Sequence, residues 1–182
     1  DEILQIWRSD TKPSMVKLLA PSIPADSIIG LSFTGIMNQR GQQINPDNGN
    51  ANFVAKTNVD TIGPKLEATF PPNNTQDIET QYNIRLNFSE PVYNINPSSD
   101  IKLLELADSN VINCSYKNLD GNTLQIKPDS LMNNTEYSLK CNSYNWQDIA
   151  ENSYQDSTFS VKFKTLDPRQ FGYMSGRLEL KD

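Results

Sequence analysis

Short stretches in which apolar and polar residues alternate recur along the chain. The clearest is YNIRLNFS at 82–89, where Tyr82, Ile84, Leu86 and Phe88 occupy every second position. Because successive side chains of a β-strand point to opposite faces, this period predicts a strand with one buried face. The same period predicts further strands at 65–70, 101–106, 111–117, 122–128, 136–144 and 159–165.

Residues that favour turns separate these strands, and no long stretch shows helical periodicity. LDGN at 119–122 contains Asp-Gly, a strong hairpin signal. Pro91 and Pro97 exclude the segment between two strands from the centre of a sheet. Residues 71–81 and 145–154 are predicted loops. Many short strands joined by turns predict an all-β fold of the β-sandwich type.

A repeat with a constant offset relates the two ends of the chain. Residues 1–57 align without a gap on 109–165, an offset of 165 − 57 = 108. Apolar positions match in four segments, since Leu4, Ile6, Val16, Leu18, Ile29, Leu31, Phe33, Phe53 and Ala55 align with Ile112, Cys114, Leu124, Ile126, Tyr137, Leu139, Cys141, Val161 and Phe163. The first copy lacks a counterpart of 59–108. We therefore predict that 1–58 is the C-terminal half of a sandwich and that 59–166 is a complete one.

Several motifs of the complete copy resemble a known family. They are DTIGPKLEATFPPNN, IRLNFSEPV, LQIKPDSLMNNTEYSLKC, WQDIAENSY and FKT, which all lie within 59–166. Together they resemble the bacterial Ig-like domain found in S-layer and other surface proteins. The resemblance implies tandem Ig-like β-sandwiches, the first one incomplete. One departure is Glu151, which stands where the family pattern usually has Gly.

The end of the chain resembles a second family. FGYMSGRLELKD at 171–182 is similar to the first strand of the carboxypeptidase-regulatory-like sandwich. The resemblance implies that 167–182 is a linker followed by the first strand of a further β domain.

Composition excludes several classes of function. The formal net charge is −6 at pH 7, which argues against binding to nucleic acid or to an anionic membrane surface. No apolar run is long enough to span a bilayer. The chain has no His, so a Ser-His-Asp triad is excluded and most zinc sites lose their usual ligand. We therefore predict that the chain is not an enzyme.

Cys114 and Cys141 both occupy inward positions of predicted strands. Their counterparts in the first copy are Ile6 and Phe33, so each site also accepts an apolar residue. Two interpretations stay open. The cysteines are buried free thiols, or they form a disulfide between the sheets in an oxidising compartment.

Two clusters of oxygen-bearing side chains are candidates for calcium, the one cofactor that we consider. The first comprises Asn45, Asp47, Asn48 and Asn50, and the second comprises Asp148, Glu151 and Asp156. Carboxylate and amide oxygens suit calcium, but neither cluster has EF-hand spacing and such loops are also ordinary turns.

Trp146 and Tyr144 are candidates for a ligand platform that stacks on sugars. The alternative is that Trp146 plugs one end of the sandwich. Ser27, Thr61, Ser130 and Ser157 each follow an Asp, a pattern that resembles the O-glycosylation acceptor of Bacteroidota envelope proteins.

These observations favour a non-catalytic spacer or interaction module of a bacterial cell-surface protein. We expect it outside the cytoplasm, as part of an outer-membrane-anchored lipoprotein, with other domains of the same parent chain as partners. One alternative is a subunit of a multi-protein outer-membrane complex for uptake or assembly. Another is a carbohydrate-binding accessory module that contacts surface glycans through exposed aromatic residues.

Overall fold

The structure is a computed structural model of the chain. It describes residues 5–8, 16–19, 23–24, 26–35, 37–38, 40–43, 50–55, 60–170, 172 and 176. Two compact units are present, one formed by Asp1–Ile6 and Leu18–Asp60, the other by Trp7–Lys17 and Thr61–Asp182. The strand predicted within 171–182 lies outside the described residues, as do Asn45, Asp47 and Asn48 of the first calcium candidate. No helix in the described ranges has the length and apolar character needed to cross a membrane.

Among the described residues before residue 60, four short strands are present. They are β1 (Gln5–Arg8), β2 (Val16–Leu19), β3 (Ile28–Ser32) and β4 (Asn50–Val54). β1 pairs with β2, and β3 pairs with β4 in an antiparallel hairpin. Ile28 lies opposite Val54 in this hairpin, and Ile29 lies opposite Phe53.

Nine strands follow, and they form the two layers of a sandwich. They are β5 (Leu66–Phe70), β6 (Thr75–Ile78), β7 (Ile84–Phe88), β8 (Ile101–Glu105), β9 (Val111–Ile112), β10 (Cys114–Asn118), β11 (Thr123–Pro128), β12 (Glu136–Asn142) and β13 (Thr158–Thr165). One sheet has the order β10-β11-β7-β5, and the other has the order β6-β13-β12-β8-β9. The short helix α1 (Pro97–Asp100) precedes β8, and a 3-10 turn, Pro168–Gln170, follows β13. The predicted all-β sandwich is confirmed.

The strand predicted at 111–117 is two strands in different sheets. β9 pairs with β8 in the five-stranded sheet, and β10 pairs with β11 in the other. Asn113 alone separates them, so the chain changes sheets at this residue. Alternation continues across the change, because Ile112, Cys114 and Tyr116 are all half-buried. Because the period of two continues from β9 into β10, the sequence pattern does not reveal the change of sheet.

β6 lies in the stretch that was predicted to be a loop. It pairs in parallel with β13, Phe163 opposite Thr75 and Thr165 opposite Ile78, with an irregularity between the two pairs. Only Ile78 of this strand is buried. A short edge strand of this kind carries too little apolar alternation to be recognised from sequence.

The core lies between the two sheets. The inward residues of β7 and β11 face those of β8, β12 and β13. Eight apolar side chains on these strands are less than 3% exposed: Ile84, Leu86, Ile101, Leu103, Ile126, Tyr137, Leu139 and Val161. The ring of Tyr137 stacks on that of Phe163 with centroids 5.5 Å apart, as expected for residues directly opposite in the β12–β13 ladder.

The four strands described before residue 60 reproduce the repeat. Adding 108 to the bounds of β1, β2, β3 and β4 places them on β10, β11, β12 and β13, and the pairing is the same. The ladders differ in register. Ile28 lies opposite Val54, whereas the counterpart of Ile28, Glu136, lies opposite Lys164 rather than Lys162. A shift of two residues keeps every side chain on its own face. The boundaries at 58 and 166 stay predictions.

Candidate functional site

Three segments meet at one end of the complete sandwich, and we call their meeting point the entry cluster. They are the segment 63–66 that leads into β5, the turn 88–93 after β7, and the loop 143–154 between β12 and β13. The backbone N–H of Leu66 donates to the hydroxyl of Tyr154 at 3.2 Å. That of Ser89 donates to the carbonyl of Lys65 at 3.0 Å, and that of Tyr93 donates to the carbonyl of Gln147 at 2.7 Å.

Gly63 and Pro64 fit closely into this cluster. A Cβ atom on Gly63 would lie 1.9 Å from the carbonyl oxygen of Ser153, so only glycine is accommodated. Pro64 is fully buried, and its fixed φ sets the direction of the incoming chain. Gly63 and Pro64 are therefore closely packed at this end of the sandwich.

Trp146 is the centre of the entry cluster. Its ring makes edge-to-face contacts with Phe88, Tyr154 and Phe159, at centroid distances of 5.9, 5.8 and 5.9 Å. The indole Nε1–H donates to Oδ2 of Asp100 at 3.0 Å, which satisfies its polar group. The side chain is only 1% exposed. It cannot stack on a sugar, so the ligand platform predicted on Trp146 and Tyr144 is wrong, although Tyr144 itself is 76% exposed.

The carboxylate of Asp100 is held by several donors. Its burial acts to raise its pKa, but hydrogen bonds from Ser99, from the backbone of Asn96 and from Trp146 outweigh this effect, so the pKa lies below its ordinary value. A lowered pKa means that the contact stabilises the fold above the ordinary pKa and is lost as the pH falls through the lowered one.

The loop between β12 and β13 is closed by a pair formed by Asp148 and Asn152. Oδ1 of Asp148 accepts the backbone N–H of Asn152 at 2.9 Å, and Oδ2 accepts the side-chain amide at 2.8 Å. Glu151 has φ = 66°, a left-handed conformation that favours glycine. Gly, which the family-like pattern usually has at this position, would adopt this conformation without steric cost.

The three residues of the second calcium candidate differ in solvent exposure. Asp148 is 2% exposed and both of its oxygens accept hydrogen bonds, whereas Glu151 and Asp156 are exposed. Asn50, from the first candidate, is exposed in β4. Calcium binding at either cluster stays a prediction, and a calcium-dependent rise in the melting temperature would test it.

The C-terminal end of the sandwich is also hydrogen-bonded to the rest of the domain. The Thr165 hydroxyl donates to the carbonyl of Met132 at 2.5 Å and accepts the backbone N–H of Thr135 at 2.9 Å. Beyond it, the side chain of Asp167 pairs with that of Arg169, N to O at 2.8 Å. The hydrogen bonds from Arg169 lower the pKa of Asp167 to about 2.

Cys114 and Cys141 lie in different sheets, on β10 and β12, and both are free thiols in this structure. Burial raises the pKa of Cys114 to about 11 and that of Cys141 to about 12. Burial is also the main cause that raises the pKa of Tyr116 to about 12, and the two cysteines add to it electrostatically. Such thiols are poor nucleophiles near neutral pH. A disulfide between them stays a prediction.

The four predicted glycosylation positions differ in exposure. Thr61, Ser130 and Ser157 are exposed, and Ser27 is half-buried. Modification at these positions stays a prediction.

Sequence reasoning missed several members of the entry cluster. Asp100 was not recognised as the partner of Trp146, because it lies 46 residues away in sequence. Tyr154 lies at the end of a predicted loop, and nothing in the sequence indicated that its hydroxyl accepts the backbone N–H of Leu66. The available signal was the set of family-like motifs, because the segments beginning at Asp60, Ile84 and Trp146 all contribute to this end of the domain.

Comparisons with known proteins agree with this architecture. A family model described as "Bacterial Ig-like domain" matches residues 60–165, more than half of the chain. No curated protein matches the sequence.

Three solved structures illustrate the likeness. The N-terminal part of the bacterial S-layer protein SbsC is 15% identical, with a TM-score of 0.40, over 58% of this chain and 24% of its own. The S-layer protein rSbsC(31-844) is 17% identical, with a TM-score of 0.42, over 59% of this chain and 14% of its own. CopC from Methylosinus trichosporium OB3b is 14% identical, with a TM-score of 0.40, over 57% of this chain and 93% of its own. The chain thus spans less than a quarter of either S-layer protein. On the match over residues 60–165, the chain belongs to the bacterial Ig-like domain family.

Proposed function

We propose that the chain is a non-catalytic structural module of a bacterial surface protein. Its complete sandwich would hold neighbouring domains at a set distance and direction. The observation that carries this proposal is that both ends of the sandwich are bonded into its body. At the entry, Pro64 is buried and Leu66 donates to Tyr154; at the exit, the backbone N–H of Leu166 donates to the carbonyl of Ile78 at 2.9 Å. Ends that are fixed in this way would orient the neighbouring domains relative to the sandwich, whereas a flexible linker would not.

Hydrogen exchange tests this role. We expect the amides of Leu66 and Leu166 to be protected nearly as well as that of Leu139 in the core, because their opening requires the sandwich ends to detach. A Gly63→Ala variant should lose protection at Leu66 through its clash with Ser153, while Leu166 keeps it. Rapid exchange at both ends of the unaltered chain would contradict a spacer with bonded ends.

The proposal places the parent protein outside the cytoplasm. Family membership and the all-β architecture support this placement. Anchoring to the outer membrane through a lipid is the finer part of the proposal. Protease treatment of intact cells that carry the native protein is the test, and we expect cleavage without lysis. Cleavage that occurs only after lysis of the outer membrane would place the module in the periplasm, and protection until the inner membrane is broken would contradict the proposal.

The interaction part of the proposal concerns the β3–β4 hairpin. Phe53 lies on the face that corresponds to the inner side of β12–β13, and it is 43% exposed. Ile28 and Val54, which are 76% and 58% exposed, lie opposite each other on the other face. Since a second sheet covers the inner side of β12–β13, we propose that another β-segment of the parent polypeptide covers the face of β3–β4 that carries Phe53.

A photo-crosslinking residue in place of Phe53, in native cells, separates this idea from the main alternative. We expect crosslinks within the parent polypeptide. Crosslinks to a different protein would favour the subunit of a multi-protein outer-membrane complex, and no crosslink at all would contradict both. A crosslinker in place of Met132, which is 65% exposed in the complete sandwich, is the matched control.

A further inference from the structure

The outward face of the four-stranded sheet carries a groove, which we call the sheet-face groove. Its volume is about 590 Å³, and Phe70, Tyr82, Asn83, Arg85, Asn87 and Gln125 contribute to its lining. This volume falls within the range of roughly 300–1,000 Å³ that is typical of small-ligand sites.

Strand register explains why the lining residues of β5, β7 and β11 share one face. Phe70 on β5 lies opposite Arg85 on β7, which lies opposite Gln125 on β11. Two residues further along β7, on the same face, Asn87 lies opposite Thr123. The alternate residues of β7, which are Ile84, Leu86 and Phe88, point into the core. The groove is therefore held by the same alternation that builds the sandwich, and its side chains stand on rigid strands.

Two amide oxygens in this groove are chemically unsatisfied. Oδ1 of Asn83 and Oδ1 of Asn87 are both enclosed, and neither accepts a hydrogen bond in the described part of the chain. Enclosed acceptors in proteins are nearly always paired, so two unpaired acceptors in one groove point to a ligand that donates hydrogen bonds. Arg85 and Gln125 offer donors in the same groove, so the ligand must also accept.

An aromatic rim and a nearly balanced charge narrow the ligand class. Phe70 is 41% exposed at the edge of the groove, and Tyr82 is half-buried in its lining. Glu79 and Asp120 accompany Arg85, so two carboxylates meet one guanidinium and a strongly anionic ligand would be repelled. Hydroxyl groups donate and accept at once, and a sugar ring offers an apolar face to an aromatic side chain.

From these contacts we infer that the sheet-face groove binds a neutral, hydroxyl-rich glycan. This activity goes beyond the spacer role. A peptide that added itself to the edge of β5 would instead bond to the backbone of that strand and would depend little on Arg85 or Asn87.

The test is an NMR titration of the whole 182-residue chain. The probes are cellohexaose, maltohexaose, xylohexaose and mannohexaose, with hexagalacturonate as the acidic control, each to about 10 mM so that a Kd near 1 mM is visible. We expect at least one neutral hexasaccharide to shift the side-chain amide resonances of Asn83, Asn87 and Gln125. Hexagalacturonate should leave them in place.

Substitutions inside and outside the sheet-face groove test whether the glycan binds there. Phe70→Ala should weaken binding about tenfold by removing the stacking face, and Asn87→Ala about threefold to tenfold by removing an acceptor. Tyr144→Ala, at the other exposed aromatic residue of the sandwich, should bind as the unaltered chain does. Circular dichroism confirms that each variant is folded.

Three results would overturn the inference. The first is the absence of shifts in the groove from all four neutral hexasaccharides. The second is loss of binding in Tyr144→Ala but not in Phe70→Ala. The third is a peptide ligand that shifts the backbone amides of β5 while binding normally to Asn87→Ala.

Discussion

The hairpins β3–β4 and β12–β13 are the same element in two surroundings. They align at the offset of 108, and both are antiparallel. In β12 the inward residues Tyr137 and Leu139 are completely buried, whereas their counterparts Ile29 and Leu31 are half-buried. Phe53 is 43% exposed, and its counterpart Val161 is 2% exposed.

This difference shows that an alternating sequence determines which side chains share a face of the strand, but does not by itself bury that face. Burial comes from the second sheet, which faces β12–β13 through residues such as Leu86 and Ile126. An apolar side chain contributes its full transfer free energy only when that second layer is present. We therefore expect the same substitution to have unequal effects in the two hairpins.

The largest expected contrast comes from alkaline pH. Burial raises the pKa of Cys141 and of Tyr154 to about 12, above the ordinary values of 9.0 and 10.0. A raised pKa means that this stability is complete below the ordinary value and is lost as the pH climbs toward the raised one. The complete sandwich should therefore unfold between pH 9 and 12, which the near-ultraviolet circular dichroism of Trp146 and the tyrosines would follow.

Replacing the thiols checks the cause of alkaline unfolding. Cys114→Val and Cys141→Val together should move the midpoint to higher pH, because two of the groups that must ionise are gone. β3 and β4 contain no titratable side chain, so the alkaline effect should not originate in that hairpin. An unchanged midpoint in the double variant would contradict this account.

Truncation of one leucine in each hairpin measures the contrast directly. Leu139→Ala should lower the free energy of unfolding of the sandwich by about 3–4 kcal/mol, because it opens a cavity between two sheets. Leu31→Ala, its counterpart, should cost about 1 kcal/mol or less. Urea denaturation followed by NMR signals from each hairpin gives both values. Equal losses would show that β3–β4 is covered as well as β12–β13.

A smaller effect, of opposite sign, is expected in the loop that joins β12 and β13. Glu151→Gly should stabilise the sandwich by about 0.5–1 kcal/mol, because glycine adopts the left-handed conformation without steric cost. Asn134→Gly is the matched control. Asn134 has φ = 51°, and asparagine tolerates this region better, so its gain should be smaller. The melting temperature ranks the two variants, and a destabilised Glu151→Gly would mean that the Glu side chain has a role of its own.

The smallest change in stability should come from the exposed side of β4. Phe53→Ser should alter the free energy of unfolding by less than about 1 kcal/mol, because the ring is only partly covered. Its effect should instead appear as weaker fluorescence of an apolar dye, since one exposed apolar side chain has been removed. Met132→Ser should leave the dye signal unchanged, because Met132 is exposed singly in the complete sandwich. Dye binding that is insensitive to Phe53→Ser would remove the apolar character assigned to this hairpin.

Alternation predicted most of the sandwich because its central strands are long and have one buried face. Residues 82–89 and 159–165 show this well, since β7 and β13 lie within about two residues of their predicted bounds. Period alone could not find β6, whose pairing comes from β13, nor the change of sheet at Asn113. Both depend on contacts between residues far apart in sequence.

The entry cluster shows a different limit. The sequence placed Trp146 in a loop, where binding residues concentrate, but its burial depends on Asp100 and on three aromatic neighbours, two of which lie outside that loop. Glu151 was recognised as a departure from the family-like pattern, while the conformation that makes it a departure required the structure. The sheet-face groove was invisible to sequence, because Phe70, Arg85 and Gln125 come together only through strand register.

The parallel pairing of β6 with β13 bears on how the module would respond to tension. β6 lies near the start of the sandwich and β13 at its end, and the two run in the same direction. If the chain is stretched from both ends, these strands must slide past each other. The hydrogen bonds from Asn74 to the carbonyl of Lys162 and from Leu166 to the carbonyl of Ile78 are then loaded together in shear. Antiparallel hairpin partners pulled apart at their open ends would instead release one bond at a time. We therefore expect an edge strand of four residues to set the force at which the whole sandwich opens.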